Sequence, residues 1–156
     1  MNNNHAINIV RWVIAVPAGL LLWFAANFSI GQAFGIIHGF DRVDAFWEAS
    51  GMDGVPVIGT YIIFVTRAIA AASLVGMVVF MVPRHHKQVG IIVACIVSIA
   101  AVGFSAFRLF QIVNSDLNIG PDGWYRHALE VFSMIFGAIA GAWLANLSQR
   151  KVRRPG

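Results

Sequence analysis

Charged side chains are scarce in this sequence: Asp, Glu, Lys and Arg make up 12% of its 156 residues, against about 25% in a soluble globular domain. So little polar material cannot cover a water-facing surface, which sets aside the soluble enzyme and soluble binding-module classes. Cysteine is almost absent. The single Cys95 can form neither an intramolecular disulfide nor a CxxC motif. That excludes a cysteine-built zinc cluster and a four-helix thiol-to-quinone oxidoreductase. Catalytic signatures are missing too. The chain has no Gly-x-Ser-x-Gly elbow, no His-Glu-x-x-His helix and no Walker A loop, and Gly103-Phe104-Ser105 lacks the second glycine of such an elbow. A non-enzymatic protein without a metal site or cofactor is expected.

What is present is apolar length. Hydrophobic residues make up 58% of the chain, the mean hydropathy is +0.73, and four long apolar runs occupy about residues 9–30, 57–82, 89–113 and 125–147. A bilayer crossing takes about 20 apolar residues. The expected fold is therefore all-α, an antiparallel bundle of four transmembrane helices in one integral membrane domain over residues 1–156. The first run exceeds the apolar core of a cleaved signal peptide, about 7–15 residues, and has no basic segment before it beyond Arg11, so it reads as a signal anchor. Pro56, Pro83 and Pro121 mark element ends. Pro17 lies inside the first run, a break that membrane helices tolerate. Pro121-Asp122-Gly123 is turn chemistry, followed by Trp124 and Tyr125 as interface anchors. In the connection at residues 31–56, Val43, Phe46 and Trp47 fall at i, i+3 and i+4. That spacing predicts a short amphipathic helix on the outer membrane surface.

The few charges are sorted by side. Asp41, Asp44, Glu48 and Asp53 crowd the first connection, and Asp116 and Asp122 lie in the third. Arg84 and Lys87, flanking two histidines, hold the second connection, and residues 148–156 form a tail with Arg150, Lys151, Arg153 and Arg154. By the positive-inside rule both termini are cytoplasmic, with a bacterial inner membrane as the expected location. The formal charge of +4 and pI of about 10.0 then reflect topology and contact with anionic lipid, and no nucleic-acid partner is expected. Expected partners are the lipid bilayer and either another membrane protein or a second copy of this chain.

Small residues line two helix faces. Ser133, Gly137, Gly141 and Ala145 recur every four positions in the last run, and Ala68, Ala72 and Gly76 do so in the second. Such faces let helix backbones approach closely where lipid removes the hydrophobic driving force. Packing within the chain is the preferred reading; a homo-oligomer seam is the alternative.

Arg67, Arg108 and Glu130 are the ionisable residues deep in the apolar runs. Charges in hydrocarbon are costly and normally face a bundle interior, a wet cavity or each other. Arg67 follows Tyr61 by six positions, Arg108 precedes Asn114 by six, and Glu130 follows Trp124 by six. Each is therefore expected about 9 Å below the outer interface. At about 100° per residue, Glu130 shares a face with Ser133 and Gly137. Asn27, Gln111 and His127 are the candidates to complete a polar cluster.

Two uses suit this cluster. One is an Arg–Glu–Arg network that pins helix register in a small accessory or structural subunit of a membrane complex. The other is a carrier or binding site for an anionic or amphipathic ligand. A third possibility, a haem- or quinone-linked electron-transfer subunit, draws on His5, His38, His85, His86 and His127, none of which lies well inside a run.

Overall fold

The computed structural model describes residues 3–39, 41, 57–83, 85–114 and 121–152. The short outer helix expected around Val43, Phe46 and Trp47 lies outside the described residues. Among those described, all regular structure is helical: α1 (Asn3–His38), α2 (Val57–Met81), α3 (His86–Val113) and α4 (Pro121–Val152). Each contains a stretch long and apolar enough to cross a membrane, namely Ile7–His38, Gly59–Met81, His86–Gln111 and Trp124–Ser148. This is the architecture of a multi-pass membrane protein.

One boundary departs from expectation. The first helix does not stop near residue 30 but continues to His38, through the start of the expected outer connection. Packing explains the extension. Ile30 and Phe34 lie against Ile62 and Val65 of α2, and the Phe34 ring meets Tyr61 edge-on at 5.5 Å. Gly39 then ends the helix. It adopts φ +89°, a conformation that glycine takes without the Cβ penalty, and its N–H donates to the Gly35 carbonyl at 2.9 Å. At the other end of the chain α4 runs on to Val152, so the basic tail begins while still helical.

The helices do not contribute equally. Half of the apolar window of α2 is buried, against 11% for α1. α2 packs on all three other helices, α3 and α4 also pack on each other, and α1 rests on α2. The result is a three-helix core with α1 laid along one side. Its centre joins Ala71, Val75 and Val79 of α2 to Ala94 of α3 and to Ala138 and Ala142 of α4.

Chain direction follows from the pairings. Gly137 faces Ala68 and Gly141 faces Ala72, an ascending order on both helices, so α2 and α4 run parallel. α1 runs against α2, with Ala15 beside Val78 and Phe34 beside Ile62. α3 also runs against its neighbours, since the start of α3 at Gly90 lies by Val79 and Asn146. The chain thus alternates direction, as the sequence predicts.

The parallel α2–α4 contact is where the small residues are used. A Cβ built on Gly137 would lie 2.7 Å from the Ala68 Cα and closer still to its carbonyl oxygen, and one on Gly141 would lie 2.7 Å from the Ala72 Cα. No side chain fits there. Ser133 is fully buried and donates its hydroxyl to the Leu129 carbonyl, which satisfies a polar group that hydrocarbon could not. Ala145 is half-buried at the far end. At Gly137 and Gly141 the ridge is taken up by α2, so a second copy cannot use those two positions while this fold persists.

Candidate functional site

The three intramembrane charges come together. Arg67 of α2, Arg108 of α3, and His127 and Glu130 of α4 line one cavity of about 310 Å³, with Trp23 of α1 on its edge. Helix length and direction explain this meeting. α2 and α4 enter from the same end, and α3 returns to it.

Arg67 is held from two sides. Its Nη2 lies 3.6 Å from Glu130 Oε1, and its Nη1 donates to Asn27 Oδ1 at 3.3 Å. Asn27 is oriented in turn, because its Nδ2 donates to the Trp23 carbonyl at 3.0 Å. A chain of polar contacts therefore runs from the backbone of α1, through Asn27 and Arg67, to Glu130. The pair is partly buried, and within a membrane bundle a charge left without its partner costs more than the pair.

Arg108 stands apart from that chain. Among the described residues no carboxylate lies within ion-pair distance of it. Its guanidinium carbon sits 5.8 Å from the centroid of the Phe104 ring, within the reach of a cation–π contact. The symmetrical Arg–Glu–Arg network expected from sequence is thus replaced by one ion pair and, across a cavity, an arginine resting on an aromatic ring. The reason is geometric: Glu130 Oε1 is engaged by Arg67 on the neighbouring α2, and the cavity separates the pair from α3.

Other expected members divide. Asn27 joins the cluster through Arg67, and it lies mid-helix rather than near an end because α1 is longer than expected. His127 lines the cavity, and its Nδ1 is buried without a hydrogen-bond partner among the described residues. Gln111 does not belong. It is exposed and absent from the cavity wall, which α3 lines with Ala100, Ala101, Phe104, Ser105 and Arg108; Gln111 lies about 4.5 Å further along the axis than Arg108, past the end of that stretch.

Three residues escaped the sequence reading. Arg126 is half-buried, and its charge interacts with those of Glu130, Arg67 and Arg108. Its spacing of four from Glu130 was the available signal, hidden by its position beside the interface anchors Trp124 and Tyr125. Trp23 lies one turn from Asn27 on the same face, and Phe104 one turn from Arg108. Both were legible only once those two polar residues were known to matter.

The remaining histidines go elsewhere. His38 stacks on Phe34 with ring centroids 6.1 Å apart, and His86 Nδ1–H donates to the Val79 carbonyl at 2.8 Å. Among the described residues no group of three His, Cys, Asp or Glu is arranged to hold a metal ion.

No protein family, curated protein or solved structure matches this chain. Around one carboxylate stand three guanidinium groups, and one of them faces open volume.

Proposed function

We propose that this protein is a non-catalytic multi-pass protein of a bacterial inner membrane that binds an anionic ligand between its helices. The observation that carries this reading is Arg108, which lines the cavity opposite the Arg67–Glu130 pair with no carboxylate of its own among the described residues. A structural network would bring each arginine onto the glutamate. A cationic wall facing volume suits a carboxylate or phosphate, which a guanidinium binds through two parallel hydrogen bonds. The volume, about 310 Å³, is at the small end of ligand cavities, about 300–1,000 Å³.

The distribution of Lys and Arg supports cytoplasmic termini, with the cavity near the outer leaflet. His127 offers a further polar atom to a bound head group.

A thermal-shift series in a neutral detergent tests the site. Dodecyl phosphate should raise the unfolding temperature of the wild type and leave Arg108→Ala unmoved. An equal shift in both proteins would remove Arg108 from the binding site. Arg108→Ala is a cleaner probe than Arg67→Ala, because Arg67 also supports Asn27 and Glu130.

A role as an accessory subunit is a second reading, favoured by α1. Only 11% of its apolar window is buried, so most of its circumference is open to lipid or to another membrane protein. Purification in mild detergent should then yield a stoichiometric partner; recovery of the chain alone from its native membrane would count against it.

A further inference from the structure

The cavity has an uneven wall and an uneven polarity, and together they identify the source of its ligand. Towards the basic end of the bundle, Ala15 of α1, Val78 of α2, Val82 just past the end of α2, and Val89 of α3 share one buried cluster. That cluster closes the lower part of the groove in which α1 and α3 flank α2. At the level of the cavity no buried cluster joins α1 to α3 among the described residues. There α1 presents Trp23, while α3 presents Ala100 and Phe104, which line the cavity and are nevertheless exposed, Phe104 to 65%. In a membrane helix such exposure at mid-depth is exposure to hydrocarbon.

Polarity is graded along the same axis. Arg67, Arg108, His127 and Glu130 lie towards the acidic-connection end, and Ala100, Phe104 and Met134 line the cavity towards the bilayer centre. From Arg108 to Ala100 the wall of α3 extends about 12 Å at 1.5 Å per residue. A small water-soluble anion has no use for that apolar stretch. An anion carrying an apolar chain fills both halves, and it is already dissolved in the phase onto which the cavity opens.

We propose that the ligand is a membrane-dissolved anionic amphiphile, with a phosphate or carboxylate head, that enters sideways between α1 and α3. The head lies at Arg108 and the chain passes along Phe104 and Ala100 against Trp23. This inference rests on the anion-site reading above and adds to it the class of ligand and its route.

The test uses the full-length protein reconstituted in phosphatidylcholine nanodiscs doped with phosphatidic acid or with oleate. Retained amphiphile is counted by native mass spectrometry. Inorganic phosphate and acetate added to undoped nanodiscs form the water-soluble arm. Two variants accompany the wild type. Arg108→Ala removes the head-group contact. Ala100→Phe fills the apolar end from an exposed position, where folding tolerates bulk. Helical content and a single size-exclusion peak establish that both are folded.

The wild type should retain phosphatidic acid or oleate, and each variant should retain about ten- to a hundredfold less, as expected for losing a charged hydrogen bond or the chain site. Inorganic phosphate and acetate should leave no adduct. Arg108-dependent binding of phosphate or acetate that Ala100→Phe leaves untouched would overturn the lateral amphiphile while keeping the anion site. Amphiphile retained equally by all three proteins would be annular lipid and would overturn both proposals, as would no binding in either arm.

Discussion

Replacing Gly137 with leucine is expected to abolish the folded bundle, and replacing it with alanine to destabilise it by about 3 kcal/mol, the upper end of the usual cost of overpacking. The alanine methyl would fall against the Ala68 backbone, 2.7 Å from its Cα. Backbone atoms of a helix cannot turn aside as a side chain does. The only relief is for α2 and α4 to separate, which also breaks the Gly141–Ala72 contact one turn on. Because lipid tails are as apolar as the helix surfaces, close backbone packing is a main source of association here, and separation forfeits it along the whole interface. Gly103 supplies the control. A Cβ there meets nothing within 4 Å, so Gly103→Ala should be neutral or stabilising by up to about 1 kcal/mol through helix propensity. Detergent-denaturant titration followed by circular dichroism measures both. Equal behaviour of Gly103→Ala and Gly137→Ala would show that α2 and α4 are not in this contact.

Glu130→Ala should be the most damaging change in the polar cluster, at about 3–5 kcal/mol. It removes the carboxylate 3.6 Å from Arg67, the one acidic group lining a cavity that also carries Arg67 and Arg108. Two compensations distinguish this cause from a simple loss of packing. The double change Arg67→Met with Glu130→Leu should recover most of the loss, because a buried pair replaced by apolar side chains is often neutral. Arg108→Ala, by contrast, should cost no more than about 1 kcal/mol, since Arg108 holds no ion pair among the described residues and its removal lowers the crowding of positive charge. The same titration reads all three. If Arg108→Ala were as costly as Glu130→Ala, Arg108 and not Arg67 would be the partner of Glu130, and the cavity would be a closed network.

Much of this was legible in composition and spacing, and the exceptions share a physical origin. The four helices follow from the apolar runs, because a chain with so few charges has no other way to satisfy its backbone in hydrocarbon. The use of Gly137 and Gly141 followed from their period of four, although the period named no partner. The end of α1 did not follow. Gly31 looked like a boundary, but Phe34 and Ile30 bury against Ile62 and Val65, and that burial extends the helix to a glycine three-dimensionally placed to cap it. Gln111 misled for a different reason: it follows Arg108 by one turn on nearly the same face, but the cavity wall on α3 runs from Arg108 back to Ala100 and not onward to Gln111.

By itself the sequence determined that this is a four-helix membrane protein, that its helices alternate in direction, and that Arg67, Arg108 and Glu130 share a depth. These are properties of hydropathy and of rise per residue, which act locally along the chain. Only the tertiary structure decided which charges touch. Helix neighbours are chosen by backbone approach at residues such as Gly137 and Gly141, and that choice set α4 against α2, gave Glu130 to Arg67, and left Arg108 facing a cavity with α1 standing off on the other side. A shared depth makes three charges candidates for one site, but the order of helices around the bundle makes two of them a pair and leaves the third lining the cavity.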